Sequence, residues 1–478
     1  MWMREEAGPL RDKDGALMPA VAGFPLEAAD RPSFAALVRV FTTLGFLGFG
    51  GPAGQIAMMH KMLVDERRWI GEERFLHALN YCMLLPGPEA QQLATYIGWL
   101  LHRKRGGLAA GLLFVLPGAA VMLALSALYV AFRHVPLIDA AFFGIKAAVL
   151  AIVVEAMLRI GGRALLDRTA LAIAVAAFLA IFVLAVPFPL IVLGAGLFGW
   201  LRQRRVPAAV GAAPPSGKVA PAGVVDAMFA RGELGHAEPS RARALKTLAV
   251  GLPLWLAPVA VLWLFLGGEA TFTTIGRFFS LMATVTFGGA YAVLAYVAQA
   301  AVENLQWLSA AEMLDGLGLA ETTPGPLVLV LQFVGFLAAF HHPGSLPPLL
   351  AGALGSLLTL WVTFAPCFLW IFLGGPYVEA LRQNRSIAAA LSAITAAVVG
   401  IIANLALWFA LHLLFRDLQP LAFLGNFGPD LPVLTSLDLR AAFLSALSAV
   451  FLFRLRLGMF ATLALSAAFG IASMGWAG

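Results

Sequence analysis

The chemistry-bearing residues of this chain are few and sit where an apolar sequence can least tolerate them. The densest group is Pro86-Gly87-Pro88-Glu89-Ala90-Gln91-Gln92. Its prolines and glycine remove helix hydrogen bonds and free the chain to turn, and Pro88 suits the first position of a new helix. A helix that starts at such a break aims unpaired N–H groups and the positive end of its dipole at whatever lies in front. That is the chemistry of an anion site. Three further breaks repeat the pattern: Gly50-Gly51, Gly288-Gly289 and Thr322-Thr323-Pro324-Gly325-Pro326. Gly87, Gly325 and the other glycines let an anion approach the backbone, and Gln91, Gln92, Thr322 and Thr323 add neutral hydrogen-bonding groups. The competing reading is that all four are kinks that accommodate packing.

Lys146 lies near the centre of an apolar run, between Gly144-Ile145 and Ala147-Ala148. An ammonium at that depth in a membrane costs ~3 kcal/mol or more, so it must face a cavity or a counter-charge. Glu155 is on the opposite face of the same helix and is not an obvious partner. Lys146 is therefore either one fixed cation for an anion or half of a structural ion pair. Glu89 is a candidate proton carrier, because a carboxylate beside an anion is unfavourable when charged. It is alternatively a stabiliser of its helix N-terminus. Arg39 and Arg277 either draw an anion inward or snorkel to the interface.

The elements that position these residues follow from composition. The 478 residues are 61% hydrophobic and 12% charged, with a net charge of +6. So little charge cannot clothe a soluble protein of this size, and the apolar runs reach the ~20 residues that cross a bilayer. The basic residues lie mostly in short loops, as topology control requires, so no nucleic-acid partner is expected. Cys82 and Cys367 lie in apolar segments, and the histidines lack metal-ligand spacing; no cofactor or metal is expected.

The sequence contains two copies of one unit. Phe49-Gly50-Gly51 and Phe287-Gly288-Gly289 lie 238 residues apart (287 − 49), and Trp69/Trp307, Arg39/Arg277 and Pro86-Gly87-Pro88/Pro324-Gly325-Pro326 keep that shift. Further on the shift is 249 (366 − 117), relating Pro117 to Pro366 and Lys146 to Thr395. Equivalent loops carry opposite charge bias: Lys61, Arg67, Arg68, Arg74, Arg103, Lys104 and Arg105 have no basic counterparts in 299–312 and 339–348. Copies with opposite bias are copies of opposite topology. The predicted architecture is an all-α polytopic membrane protein of two inverted repeats. Each repeat has two broken re-entrant helical hairpins and about four spanning helices; kinked spanning helices are the rival. The divisions are a polar tail (1–33), a first repeat (34–201), a flexible cytoplasmic linker (202–244), a connecting helix (245–266) and a second repeat (267–478). Trp69 and Trp307 are expected as interfacial anchors, and Glu155/Arg159 as a structural i, i+4 pair.

The strings LGFGGPAGQIA (47–57), LLPGPEAQQLATYIGW (84–99), GIKAAV (144–149), TFGGAY (286–291) and TTPGPL (322–327) resemble the chromate ion transporter family in its long, two-domain form. The resemblance covers about 34–475. It implies an oxyanion exporter of the bacterial inner membrane that lowers cytoplasmic chromate, driven by the proton motive force, with cytoplasmic N-terminus and linker. Its partners would be chromate or a sulfate-like anion, protons and the lipid bilayer, and a homodimer is allowed. A passive anion channel is the nearest alternative; clustered carboxylates or a metal motif for an enzyme are missing from the sequence.

Overall fold

The computed structural model describes residues 31–205, 223–287, 290–378, 385–421 and 430–476. Their regular structure is helical apart from one short antiparallel ribbon, Leu418–Pro420 with Asp430–Pro432. In chain order the helices are α1 (Phe34–Leu47), α2 (Gly51–His60), α3 (Glu72–Leu84), α4 (Glu89–Phe132), α5 (Pro136–Ala164), α6 (Arg168–Phe182), α7 (Phe188–Arg205), α8 (Val224–Ala230) and α9 (Arg241–Leu266). The series continues with α10 (Thr271–Val285), α11 (Ala290–Gln299), α12 (Ala310–Thr322), α13 (Val330–His341), α14 (Pro348–Gly374), α15 (Arg385–Leu414), α16 (Leu439–Ala449) and α17 (Met459–Ala472). Five of these, α4, α5, α9, α14 and α15, are long and apolar enough to cross a membrane. The chain is an all-α polytopic membrane protein.

The breaks turn the chain back on itself. α3 and the first arm of α4 face each other across Leu85–Pro88, with the rings of Tyr81 and Tyr96 5.8 Å apart. A straight helix would separate those residues by ~22 Å. In the second copy Gly316 of α12 abuts Phe333 of α13, and the Trp307 carbonyl at the base accepts from His341 Nδ1 at 2.9 Å. α4 is itself two helices: His102 and Arg103 leave helical geometry, with Arg103 at φ +54°. Gly98 then packs on the Gly106 carbonyl and Ala110, so residues 104–132 run antiparallel to 89–101. Each arm of these hairpins is ~20 Å long, short of the ~30 Å hydrocarbon core.

The long helices cross-clasp. α6 and α7 of the first copy pack on α15 of the second, with Gly400 against the Ala174 carbonyl and Gly199 against that of Ala389. Reciprocally, α16 and α17 pack on α5, where Gly144 meets Ser466 and Gly470 meets Ala140. By contrast α9 packs along one side only, on α10 and α14, and exposes Trp263, Leu264 and Phe265.

Two expectations need correction. The linker is not flexible throughout: α7 runs on to Arg205, α9 begins at Arg241, and 223–240 is folded, while 206–222 and the tail to residue 30 lie outside the described residues. There Asp226 accepts from the Gly71 and Gly223 amides at 2.9 and 2.8 Å and pairs with Arg74 at 2.7 Å. His236 Nε2 bonds the Trp99 carbonyl at 2.9 Å. This small module thus docks on the 68–74 turn that enters α3 and on the end of the first arm of α4. Second, Trp69 and Trp307 are buried, at 6% and 4% exposure, and not interfacial anchors. Each follows a residue in the left-handed region, Arg68 (φ +51°) or Gln306 (φ +50°), that turns it inward.

Candidate functional site

Two backbone hydrogen bonds cross between the copies at the breaks. The Gly87 amide donates to the Thr286 carbonyl, and the Gly325 amide to the Gly48 carbonyl, each at 2.9 Å. The 238-residue shift carries Gly48 onto Thr286 and Gly87 onto Gly325, so each bond is the image of the other. Gly87 (φ +118°) and Gly325 (φ +97°) need the left-handed conformation that glycine takes without strain. Neighbours press close: a Cβ on Gly87 would lie 2.8 Å from Cys367 Sγ, and one on Gly118 would overlap the Pro324 carbonyl oxygen. Cys82 and Cys367 are free and buried.

Two side chains complete the junction. Tyr291, in the first turn of α11, donates its hydroxyl to Glu321 at 2.7 Å and ties the break before α11 to the break after α12. The Gln55 side-chain amide donates to the Gly48 carbonyl at 3.0 Å and also to the Gly325 carbonyl. All four breaks are thereby linked in one network.

Every break offers one helix end of each sign, so polarity depends on which ends are satisfied. The carbonyl ends are: Gly48 and Thr286 accept the crossing amides, Pro86 accepts from Gln92 Nε2 at 2.7 Å, and Leu319 accepts from the hydroxyls of Thr322 and Thr323 at 2.8 and 2.7 Å. The amide ends are not: no side chain caps α2, α4 or the turn Leu327–Leu329. Bonded carbonyls beside amide ends that lack a side-chain cap favour an anion over a cation as the group that completes the junction.

The sequence-predicted residues divide accordingly. Gly50, Gly51, Gly87, Gln91, Gln92, Thr322, Thr323 and Gly325 belong to the breaks or their first turns; Gly288 and Gly289 lie outside the described residues. Thr322 and Thr323 donate into their own helix, so they do not aim hydroxyl protons at the junction. Gln91 likewise gives its amide to Thr95 at 3.0 Å. Glu89 is half-buried as the first residue of α4. Arg39 and Arg277 are both exposed on the outer faces of α1 and α10.

Lys146 is elsewhere. Its ammonium lies 3.5 Å from Asp315, with the two side chains 12% and 7% exposed, and Tyr129 donates to the same carboxylate at 2.9 Å. Asp315 precedes the Thr323 break by eight residues of α12, ~12 Å along the axis. Around the pair is a cavity of about 90 Å³ that Arg133, Asp139, Phe142 and Glu312 also line. Arg133 pairs with Glu312, whose other oxygen accepts from Ser309. A larger cavity, about 340 Å³, is far from the breaks, between α6, α7 and α15 near Asp167 and Arg202. Glu155 and Arg159 pair at 2.6 Å, as their spacing predicted.

Sequence reasoning missed Glu312, Asp315 and Glu321. The signal was there: three acids in the thirteen residues 310–322 of a segment otherwise nearly free of charge.

The sequence profile of the chromate transporter family matches residues 35–200 and 273–471. The chain belongs to that family. Among similar proteins, the chromate transport protein of Pseudomonas aeruginosa is 34% identical over 385 residues, covering 79% of this chain and 81% of its own. The chromate transport protein of Cupriavidus metallidurans is 29% identical, covering 77% and 80%. A probable chromate transport protein of Synechococcus elongatus is 26% identical, covering 77% and 82%. No solved structure matches the chain. Family membership makes this a membrane transporter, and the junction is the place where its chromate transporter motifs meet.

Proposed function

We propose that this transporter exports chromate from the cytoplasm of a bacterial cell across its inner membrane, using the proton motive force. The anion is held near the bilayer midplane by the uncapped amide ends at the breaks, chiefly those of Glu89-Ala90-Gln91 and the turn at Leu327. One observation carries this reading: the junction's carbonyl ends are hydrogen-bonded while its amide ends are uncapped. A tetrahedral dianion supplies the acceptors such a site lacks. The two copies are inverted repeats, the hairpins are re-entrant from opposite faces, and the 223–240 module is cytoplasmic with the basic loops. Lys146, held by Asp315, reaches an anion only if that pair opens.

Chromate flux into inverted membrane vesicles tests this. Accumulation against its gradient, abolished by a protonophore, is the expected result. Flux that only equilibrates makes the protein a channel. Sulfate movement without chromate movement keeps the site and overturns the substrate.

A further inference from the structure

Most carboxylates buried in the helical body have a local reason to stay charged. Asp315 faces Lys146, and Glu312 faces Arg133, Ser309 and His341. Glu89 lies in the first turn of α4, where the positive helix end favours an anion. Glu321 has none of these supports. It is 5% exposed and in the last turn of α12, where the dipole opposes negative charge. Its hydrogen bond is from Tyr291, and no described cation forms an ion pair with it. The charged groups nearest it on α5, Glu155 and Arg159, already satisfy each other. Yet Glu321 is four residues from Gly325, and its bond to Tyr291 joins two of the four breaks.

A dianion at the junction and an ionised Glu321 would repel each other across a medium that screens poorly. We propose that Glu321 is the carboxylate that takes up a proton when an oxyanion occupies the junction, with Tyr291 positioning it. This rests on the reading of the junction as an oxyanion site. The step is a protonation alone: one carboxylate oxygen gains H⁺, Tyr291 stays bonded to the carboxyl group, and no other bond changes. A dianion carried with one proton moves a single net negative charge, so the inside-negative potential still favours its exit, with half the drive it gives the bare dianion.

Purified full-length protein in nanodiscs, titrated calorimetrically with chromate in alkaline buffers of differing ionisation enthalpy, reports protons taken up per anion bound. Wild type should take up about one, and its affinity should fall about tenfold per pH unit on the alkaline side. Glu321→Gln should bind chromate with neither proton uptake nor pH slope. Tyr291→Phe should keep the slope but move the pH at which it begins. Wild-type proton uptake in Glu321→Gln overturns the proposal. Should that variant fail to fold, an unmoved onset in Tyr291→Phe overturns it instead. Absence of chromate and sulfate binding by the wild type would overturn the oxyanion reading of the junction itself.

Discussion

At the scale of single residues, the Lys146–Asp315 pair shows how a membrane protein hides charge. Neither group has enough water to stand alone, and each is the other's main solvent. Lys146→Met or Asp315→Leu alone should lower stability by ~3–5 kcal/mol, because the survivor is left buried and uncompensated. The double variant should recover most of that loss, read as thermal unfolding in detergent. Recovery confined to stability, with transport still absent, would give the pair a role in the cycle as well as in the fold. The sequence showed that Lys146 needed a cavity or a counter-charge and that Glu155 faced the wrong way. It did not show which partner, because Asp315 is far away in the chain and joins only through the packing of α12 on α5. Glu321 was hidden for the same reason: its meaning comes from Tyr291 and the break beside it.

At the scale of elements, glycine contacts set how closely the helices bearing the breaks can approach. Gly118 lies in regular helix, so an alanine there is not strained in its backbone; its cost comes from the overlap with the Pro324 carbonyl. Gly118→Ala should therefore destabilise by ~1–3 kcal/mol and abolish vesicle flux by pushing α4 off the Gly325 break. Gly162→Ala in α5 faces open space and should leave flux unchanged. Comparable flux in the two variants would remove close approach at the break from the mechanism. The breaks themselves were readable from proline and glycine. The second bend of α4, at His102-Arg103, was expected only as a basic loop, and its reversal depends on Gly98 meeting Gly106. The threonines were expected as neutral hydrogen-bonding groups, and a sequence does not reveal that the preceding turn claims their protons.

For the whole molecule, the least anticipated feature is the docked 223–240 module, since a run of proline, glycine and charge reads as a tether. Its grip depends on Asp226 at one end and His236 at the other. Burial pushes the His236 imidazole below the usual histidine range; the Trp99 carbonyl offsets this in part, and Arg103, Arg31 and Arg243 add to the depression. A base depressed in the docked state favours that state when neutral. Docking should thus be fully present above the ordinary histidine range and lost as pH falls through the depressed value. The protection factors of the Val224 and Val225 amides, which bond Arg68 and Trp69, taken after allowing for the intrinsic slowing of exchange in acid, should fall by up to about tenfold per pH unit of acidification. His236→Gln should flatten that dependence, and an unchanged profile would place the sensitivity elsewhere.

The reciprocal bonds at Gly87 and Gly325 also impose an order of events during biosynthesis. The Gly87 amide and the Gly48 carbonyl enter the bilayer long before the ribosome reaches Thr286 and Gly325. Until then the Gly87 amide lacks its acceptor and Gln55 alone serves the Gly48 carbonyl, and hydrocarbon offers nothing in exchange. The first copy's hairpins have to wait near the interface or borrow a temporary partner, and they settle only when the second copy arrives. A nascent chain stalled between the copies should accordingly be a substrate for membrane quality control, however well its spanning helices have inserted.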